Sequence, residues 1–396
     1  MMFSELPLSA MLQQKLAAAN FTTPTPVQAE AIPTALEGRD LLATAQTGTG
    51  KTLAFLIPII EHLLKSNTRH VEALILLPTR ELAMQVADEY DKIRGRKLPA
   101  AALVIGGVPE KRQLAALRGG ARLTVATPGR LEDFLSRRLV DLTHVQMLVL
   151  DEADRMLDMG FLPAIRRIVA ALPKQRQTML FSATLEASIV GLVKDYLKDP
   201  KRIALGSTLK PAATVDLFAY EVNAMKKADT LRAILYEEEG STLVFARTKR
   251  GTERLAKNLV RDGFSATMIH GDRTQSQRVK ALQGFDEGRY QILVATDIAA
   301  RGIDIDSISH VVNYDLPALA EDFIHRVGRT GRAGQHGKAS SIVSGAEVID
   351  LHRIEKTLKL RIERRKIGEE AARRTSVSHN TLPSRTLSRL PGEVFA

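Results

Sequence analysis

The chain has 396 residues, of which 44% are hydrophobic and 26% are charged. This length predicts two domains of ordinary size, and the lack of cysteine excludes both a disulfide framework and a cysteine-based metal site. We find no basic segment followed by an apolar stretch at the start and no apolar run of about 18 residues, so we expect neither a signal peptide nor a membrane span.

The charge balance favours a polyanionic partner, because the formal net charge is +11 and the sequence pI is near 9.8. Aromatic residues make up only 5% of the chain, and tryptophan is absent. Proteins that read single-stranded bases usually stack them on aromatic rings. A nucleic acid is therefore expected to be held by its sugar-phosphate backbone, without readout of its sequence.

The first informative segment is a loop between an apolar strand over 40–44 and a helix that starts near Leu53. It reads Ala45-Gln46-Thr47-Gly48-Thr49-Gly50-Lys51-Thr52, a Walker A pattern in which Ala45 replaces the usual first glycine. Small residues let backbone N–H groups surround a phosphate, while Lys51 can reach the β- and γ-phosphates and Thr52 can ligate Mg²⁺. A simple connecting turn is the alternative, but it needs neither the Lys-Thr pair nor the two glycines.

Short apolar runs alternate with helical patterns along the whole chain, which predicts parallel sheets covered on both faces. In the first half the predicted strands are 40–44, 73–77, 102–105, 123–126, 147–150 and 178–181. In the second half they are 242–245, 266–269, 291–294, 311–314 and 340–343.

A break in this pattern divides the chain into two α/β domains, over 1–206 and 214–367, joined by a linker over 207–213. The pattern from Ile349 predicts a helix that continues to Ile367, and 368–396 is expected to be a mobile tail. Residues 352–396 carry eleven Lys and Arg against five Asp and Glu, so much of the excess charge lies at this end.

The predicted strand over 147–150 is followed directly by Asp151-Glu152-Ala153-Asp154. Acids in this place, downstream of a Walker A loop, are typical of the second half of a nucleoside-triphosphatase site. Asp151 is expected to hold Mg²⁺, and Glu152 to orient or deprotonate the attacking water. The alternative is a helix N-terminus enriched in acids because of the helix dipole.

With these motifs in place, the chain from Phe3 to Val343 resembles the DEAD-box ATP-dependent RNA helicases of superfamily 2. The resemblance implies two tandem RecA-like domains, each a mainly parallel sheet with helices on both faces, and implies ATP and Mg²⁺ as cofactors. The segment over 21–28 is similar to the Q motif of the family. There Gln28 is implied to read the adenine edge and Phe21 to stack on the ring, although Phe21 alone reads as a core residue.

Three further segments of the first half, over 78–82, 106–107 and 127–130, resemble RNA-contacting motifs of the family. The RNA-binding residues that they imply are Arg80, Gly107, Thr127 and Arg130. Small residues in these segments permit close approach to a backbone, and the arginines supply charge to phosphates. The triplet Ser182-Ala183-Thr184 resembles the motif that links the ATP and RNA sites, with hydroxyl groups reaching toward Asp154.

The second half resembles the remaining helicase motifs, over 244–249, 275–278 and 295–304. They imply contacts to RNA phosphate and to the opposing domain from Arg247, Thr248, Gln275, Arg278 and Thr296. Asp304 is placed where the family contacts the nucleotide ribose.

The segment over 325–332 resembles motif VI of the family. Arg329 and Arg332 are implied to act as arginine fingers on the γ-phosphate, and His325 to arrange the attacking water and to couple with the Asp-Glu-Ala-Asp segment. A basic structural turn is the alternative, but arginine at every third residue between glycines is a poor core pattern.

The expected function is an RNA-stimulated ATPase that locally unwinds short RNA duplexes or remodels RNA–protein complexes. We expect a cytoplasmic monomer of RhlE type, with ribosomal precursors and the RNA-decay machinery as candidate partners. Two alternatives stay open. A DNA-directed member of the superfamily commonly lacks the Q motif and this acidic segment, and a non-enzymatic RNA-binding protein would not need Lys51, Glu152, Arg329 and Arg332.

Overall fold

Two parallel sheets organise the chain in the computed structural model, which describes residues 2–45, 49–185, 187–204, 214–238, 240–300, 308–331 and 335–366. Each sheet has seven strands, and helices lie between successive strands. The first sheet has the order β3-β4-β2-β5-β6-β1-β7, and the second has the order β10-β11-β9-β12-β13-β8-β14. This confirms the predicted fold class of two tandem RecA-like α/β units.

The strands of the first sheet are β1 Leu41–Thr44, β2 Ala73–Leu76, β3 Ala102–Val104, β4 Leu123–Ala126, β5 Met147–Leu150, β6 Gln177–Ser182 and β7 Lys201–Ala204. The helices of the same half are α1 Ala10–Ala18, α2 Pro26–Leu36, α3 Lys51–Leu64, α4 Arg80–Ile93, α5 Glu110–Arg118, α6 Pro128–Ser136, α7 Ala153–Asp158, α8 Leu162–Ala170 and α9 Ala187–Tyr196.

The strands of the second sheet are β8 Val215–Glu221, β9 Ser241–Phe245, β10 Ala266–Ile269, β11 Ile292–Ala295, β12 Ile308–Asn313, β13 Gly337–Val343 and β14 Glu363–Arg364. The helices of this half are α10 Lys227–Glu237, α11 Lys249–Arg261, α12 Gln275–Asp286, α13 Asp297–Ala300, α14 Ala320–Val327 and α15 Glu347–Leu358. None of the described helices is long and apolar enough to cross a membrane.

Both faces of each sheet are covered, so the central strands are mostly apolar, and the buried polar residues His310 and Asn313 of β12 have hydrogen-bond partners. In β2, Ile75 packs into the hydrophobic cluster on one face, whereas Leu74 and Leu76 pack into the cluster on the other. Successive side chains of a strand point to opposite faces, and a strand with two buried faces therefore favours apolar residues at successive positions. This is why the apolar runs in the sequence located these strands.

The strand order brings three motifs to one edge of the first sheet. Strand β6 lies between β1 and β5, and Thr44 of β1 is in register with Ser182 of β6. The backbone N–H of Ala45 continues this pairing by donating to Ser182 O at 3.1 Å. The segments that follow β1, β5 and β6 therefore meet at the carboxyl ends of parallel strands, where open α/β sheets bind their ligands.

The C-terminal helix is shorter than predicted. Helix α15 ends at Leu358, because Lys359 adopts a left-handed conformation with φ 51°, and the chain then turns back to pair β14 with β8. Arg364 of β14 donates to Glu221 Oε1 at 2.7 Å and to Glu355 at 2.9 Å. The prediction of a helix to Ile367 was therefore wrong for the β14 segment.

Strands β7 and β8 were not predicted either. The pattern of β7 is weak because only Ile203 of its four residues is buried, as is common at a sheet edge. Chain segments 207–213 and 368–396, predicted as linker and tail, lie outside the described residues. The domain boundaries therefore stay a prediction.

Candidate active site and nucleic-acid interface

The phosphate-binding loop ends at the first residue of α3. Lys51 is 6% exposed, and its Nζ donates to the backbone oxygen of Ala45 at 3.0 Å, across the mouth of the loop. Thr49 and Thr52 are half-buried beside it. The predicted phosphate ligands Gln46, Thr47 and Gly48 lie outside the described residues.

The segment that resembles the Q motif is bonded to this loop. The Gln28 side chain accepts the backbone N–H of Thr25 at 2.9 Å and donates through Nε2 to Gly50 O at 2.9 Å, while Thr25 Oγ1 donates to Thr49 O at 2.8 Å. Gly50 has φ 89°, and a Cβ there would overlap the Gln28 amide. The predicted adenine reader thus contacts the phosphate loop directly, and Phe21 is half-buried against the core.

The acids after β5 are buried next to the loop. Asp151 is 3% exposed and accepts the backbone N–H of Glu152 at 2.9 Å. Burial raises the pKa of the Asp151 carboxyl to about 6, although the nearby Lys51 ammonium opposes this shift. Glu152 is buried too and has a left-handed backbone, with φ 49° and ψ 49°. Such strain in a non-glycine residue clusters at functional sites.

Asp154 connects these acids with the segment after β6. Its Oδ2 accepts the backbone N–H groups of Ala183 at 2.9 Å and Thr184 at 3.1 Å, and the Thr184 hydroxyl lies 3.4 Å away. Ser182 Oγ donates to Thr184 O instead. The predicted link to Asp154 is therefore present, but it is made mostly by backbone groups and by one of the two hydroxyls.

Helix α14 carries the second-domain part of the site. Arg329, just beyond its end, is 4% exposed and donates through Nε to the backbone oxygen of His325 at 3.3 Å. Arg326 anchors the helix within its own domain through two bonds to the Asp297 carboxylate, at 2.5 and 2.7 Å. The predicted ligands Asp304 and Arg332 lie outside the described residues.

Two sets of polar contacts join the domains. Glu81 of α4 accepts Gln275 Nε2 at 2.9 Å and Arg278 Nη2 at 2.8 Å, both from α12. Arg155 of α7 donates to Asp322 Oδ1 of α14 at 2.8 Å. The halves of the candidate site are therefore in direct contact.

A cleft of about 540 Å³ opens beside the Glu81 contact. Four predicted RNA-binding residues from both domains line it, namely Arg80, Thr127, Arg130 and Arg278. Gly107 adjoins the cleft because a Cβ at this residue, which has φ 75°, would overlap the Arg80 guanidinium. The cleft therefore combines the half-buried cations Arg80 and Arg130 with backbone that a polyanion can approach closely.

The other predicted RNA-binding residues of the second domain lie outside the lining of this cleft. Arg247 follows β9, and its Nη2 donates to Glu347 Oε1 and Leu316 O, both at 3.4 Å. Thr248 caps α11, and Thr296 is buried after β11. They nevertheless share the carboxyl edge of the second sheet.

Sequence reasoning assigned no role to several residues that hold the site together. The contacts between the domains involve Glu81, Arg155 and Asp322. The phosphate loop is bonded to Thr25, and α14 is anchored by Arg326. Thr25, Glu81 and Arg326 lie inside segments already singled out as motifs, and Arg155 directly follows the acidic segment. Their position in or next to a motif could have marked them as functional. Their partners could not be predicted, because these lie far away in the sequence.

The described part of the chain holds one other group of potential metal ligands, the exposed residues His70, Asp141 and His144. The two imidazole rings stack at 4.0 Å with an interplanar angle of 13°. Their nitrogen lone pairs therefore lie in nearly parallel planes and do not converge on one point. We assign no metal site there.

Comparison with known proteins agrees with this geometry. The family model of the DEAD/DEAH box helicase matches residues 25–191, and that of the helicase conserved C-terminal domain matches residues 226–334. The ATP-dependent RNA helicase CshA of Limosilactobacillus reuteri is 42% identical over 91% of this chain and 73% of that protein. The DEAD-box ATP-dependent RNA helicase CshA of Bacillus subtilis is 40% identical over 92% of this chain and 74% of that protein.

Solved structures give a similar result. Dbp5 of S. cerevisiae bound to RNA and ADP BeF3 has a TM-score of 0.84 at 30% identity, over 96% of this chain and 99% of that chain. A DEAD box protein from Methanococcus jannaschii is 41% identical over 92% of this chain and 99% of that chain, yet its TM-score is 0.54. The chain belongs to the family of DEAD-box ATP-dependent RNA helicases.

Proposed function

We propose that the chain is an RNA-stimulated ATPase that uses ATP to unwind short RNA duplexes locally or to remodel RNA–protein complexes. The observation that carries this function is the division of the site. The phosphate loop and the acids lie on the first domain, whereas α14 with His325 and Arg329 lies on the second. Hydrolysis then requires the two domains to close on each other. The neighbouring cleft of about 540 Å³ is lined by arginines from both domains.

In the ATP site, we assign phosphate binding to Lys51 and to the loop residues Gln46, Thr47, Gly48, Thr49, Gly50 and Thr52. Lys51 supplies the mobile positive charge for the β- and γ-phosphates. Gln28 and Phe21 are assigned to the adenine, and Asp304 to the ribose. The bond from Gln28 to Gly50 supports a role in which adenine recognition is transmitted to the phosphate loop.

The donor set at the loop fits Mg²⁺, which prefers oxygen ligands. Asp151 offers a buried carboxylate and Thr52 a hydroxyl, and we assign both to the metal. When bound, Mg²⁺ neutralises charge on the phosphates during transfer. The burial that raises the pKa of Asp151 supports the assignment, because a buried carboxylate is stabilised by a nearby cation.

For hydrolysis, we assign Glu152 to the attacking water and Arg329 and Arg332 to the charge that develops on the γ-phosphate. Arginine fingers of this kind are worth about 10³–10⁵ in rate in related enzymes. His325 helps to arrange the water and couples α14 to the acidic segment. Asp154 carries the state of the ATP site to the segment after β6 through its bonds with Ala183 and Thr184.

RNA is assigned to the cleft and the edge around it, through Arg80, Gly107, Thr127, Arg130, Arg247, Thr248, Gln275, Arg278 and Thr296. Contacts to phosphate and sugar orient a strand without reading its sequence. ATP and RNA each bridge the two domains and therefore favour the same closed state. A strand held in a bent path loses its pairing, and loss of the γ-phosphate reopens the cleft.

We further propose domains over 1–206 and 214–367, a linker over 207–213 and a mobile tail over 368–396.

The spacing of motifs supports an RhlE-type member, whereas the relatives reported above carry the name CshA. We propose a cytoplasmic monomer that acts on ribosomal precursors or with the RNA-decay machinery. Crosslinking in cells followed by sequencing of the bound RNA tests the substrate.

An unwinding assay tests the activity itself. We expect strand separation of a short RNA duplex with ATP, none without ATP, and none for a DNA duplex of the same sequence. Lys51→Ala should abolish both turnover and unwinding. ATP-dependent unwinding of DNA would identify a DNA-directed helicase, and ATP-independent annealing without turnover would identify a non-enzymatic RNA-binding protein.

A further inference from the structure

Arg155 holds a position between the two halves of the site. Its backbone N–H donates to Asp154 Oδ1 at 3.0 Å, while its guanidinium donates to Asp322 Oδ1 at 2.8 Å across the domain interface. The Arg155 side chain is only 5% exposed, and that of Asp322 is 23% exposed. One residue therefore contacts the acidic segment with its backbone and the second domain with its side chain.

Asp322 stands in the first turn of α14, three residues before His325. Residues three apart in a helix lie on neighbouring positions of the same face. Arg329 is bonded to the backbone oxygen of His325 at 3.3 Å, so it moves with this helix. A shift of Asp322 relative to Arg155 therefore displaces both His325 and Arg329 relative to Glu152.

The pair depends on domain closure. Within its own domain Arg155 contacts Asp158 at 3.2 Å, but the Asp158 side chain is 46% exposed. The contact with Asp322 exists only when α7 and α14 meet, as they do in this arrangement, which resembles that of Dbp5 bound to RNA and ADP BeF3. Loss of Asp322 leaves the buried Arg155 guanidinium without its partner across the interface, and because this contact forms only on closure, the cost falls on the closed state.

We propose that the Arg155–Asp322 pair is a positioning contact that aligns α14, with His325 and Arg329, against the acidic segment in the closed state. Neither Arg155 nor Asp322 is among the residues that we assign to the nucleotide or to the attacking water. They act through the residues on either side of them. This inference rests on the proposed function, because it requires hydrolysis to depend on closure.

The test is Asp322→Asn in the full chain. We expect the RNA-stimulated kcat to fall by about tenfold or more, because the buried Arg155 guanidinium loses its interdomain carboxylate in the closed state and keeps only the more exposed Asp158. Binding of a fluorescent ATP analogue without RNA should stay within twofold, since that nucleotide site lies on the first domain. Interdomain energy transfer with RNA and a non-hydrolysable ATP analogue should show a smaller closed fraction.

Asp158→Asn is the matched control, because it removes the other carboxylate partner of Arg155 within the same domain. We expect its kcat and closed fraction to stay within twofold of the unmodified protein. If Asp322→Asn does not fold, as judged by thermal unfolding, Arg155→Lys tests the pair from the other side. It keeps the charge and loses the guanidinium geometry, so we expect a smaller fall in kcat than for Arg155→Ala.

A double-mutant cycle with Arg155→Ala and Asp322→Ala measures the coupling directly. The double variant should be about as slow as the slower single variant. Additive losses, or a kcat of Asp322→Asn within twofold of normal, would overturn the proposal. Lys51→Ala assayed in parallel separates this failure from that of the proposed function, because RNA-stimulated turnover in Lys51→Ala would reject the assigned ATP site itself.

Discussion

Glu152 occupies a left-handed backbone conformation that costs a non-glycine residue about 1–3 kcal/mol. The residue is nevertheless buried, it directly precedes α7, and its carboxylate lies near that of Asp151. The fold therefore keeps the backbone of Glu152 in a strained conformation, in which its carboxylate can orient a water molecule. Strain of this kind supports the role assigned to Glu152 in hydrolysis.

The first prediction separates Glu152 from Lys51. Glu152→Gln keeps the shape of the side chain but removes the carboxylate, so ATP should still bind while hydrolysis stalls and RNA stays bound in a long-lived complex. Lys51→Ala should lose hydrolysis together with its hold on the β- and γ-phosphates. Fluorescent nucleotide binding and RNA-stimulated turnover measure both variants. Equal loss of ATP binding in the two variants would show that Glu152 has been assigned wrongly.

His310 is a buried histidine far from the site. It is 2% exposed, and its Nε2 lies 2.8 Å from Ser340 Oγ. Burial lowers the pKa of the imidazole from 6.5 to about 3, and the nearby Lys338 ammonium adds to this effect. Glu238, 3.6 Å from Nδ1, is itself paired with Lys338 at 3.0 Å. The folded protein therefore keeps His310 neutral.

The second prediction follows from this lowered pKa. Between pH 6.5 and 3 the unfolded chain binds a proton at His310 that the folded chain does not, so stability falls as the pH falls through this window, by up to about 1.4 kcal/mol per pH unit. His310→Gln should flatten the dependence of the unfolding midpoint on pH between 7.5 and 5. His336→Gln, at an exposed histidine, should leave that dependence unchanged.

At the scale of elements, the start of α2 and the start of α3 are held together. Thr25 and Gln28 bond to Thr49 O and Gly50 O, so the helix with the Q motif and the phosphate loop form one polar unit. The unit requires glycine at residue 50, because both the positive φ and the closeness of the Gln28 amide exclude a side chain.

The third prediction compares two glycines with positive φ. Gly50→Ala should displace Gln28 and weaken ATP binding by about tenfold or more, since overlap adds to the backbone strain. Gly38→Ala, at φ 78° with no atom within 4 Å of the new Cβ, should cost only strain of about 1 kcal/mol and leave ATP binding unchanged. Nucleotide titrations and thermal unfolding distinguish them. Equal ATP affinity of the two variants would contradict the Gln28 contact.

At the scale of the whole molecule, charge is distributed between the cleft and the C-terminal end. Residues 368–396 carry four arginines against three acids, whereas the denser basic segment lies just upstream. Part of that upstream segment belongs to the fold, because Arg364 pairs with Glu221 and Glu355 while Leu358 and Ile362 are buried.

The fourth prediction concerns truncation. Removing residues 368–396 should keep RNA-stimulated turnover within a few-fold and reduce the salt slope of nucleotide-free RNA binding by only about 1–3 units. Ending the chain before Leu351 should weaken RNA binding further and destabilise the second domain, because β14 and most of α15 are lost. Unchanged affinity and salt slope in both truncations would mean that the C-terminal charge has no role in binding RNA.

Much of the architecture could be predicted from residues alone. Most of the strands were located because a strand with two buried faces favours apolar residues at successive positions, as in Leu74, Ile75 and Leu76. Strand β14 was not predicted, because Glu363 and Arg364 are both exposed and polar. The pairing of β14 depends on Lys359, whose left-handed conformation ends α15. The pattern of apolar residues near Lys359 does not predict this turn.

The site divides in the same way. The sequence by itself determined the motifs to which we assign the chemistry, because a phosphate loop needs its lysine next to small residues, and the acids must follow a buried strand. Only the tertiary structure decided how these groups are held together. Gln28 bonds to Gly50, Glu81 to Arg278 and Arg155 to Asp322 over long sequence distances. A local sequence pattern reflects the burial and the chemistry of one segment. Contacts between distant segments depend on how the whole chain folds, and a local pattern therefore does not predict them.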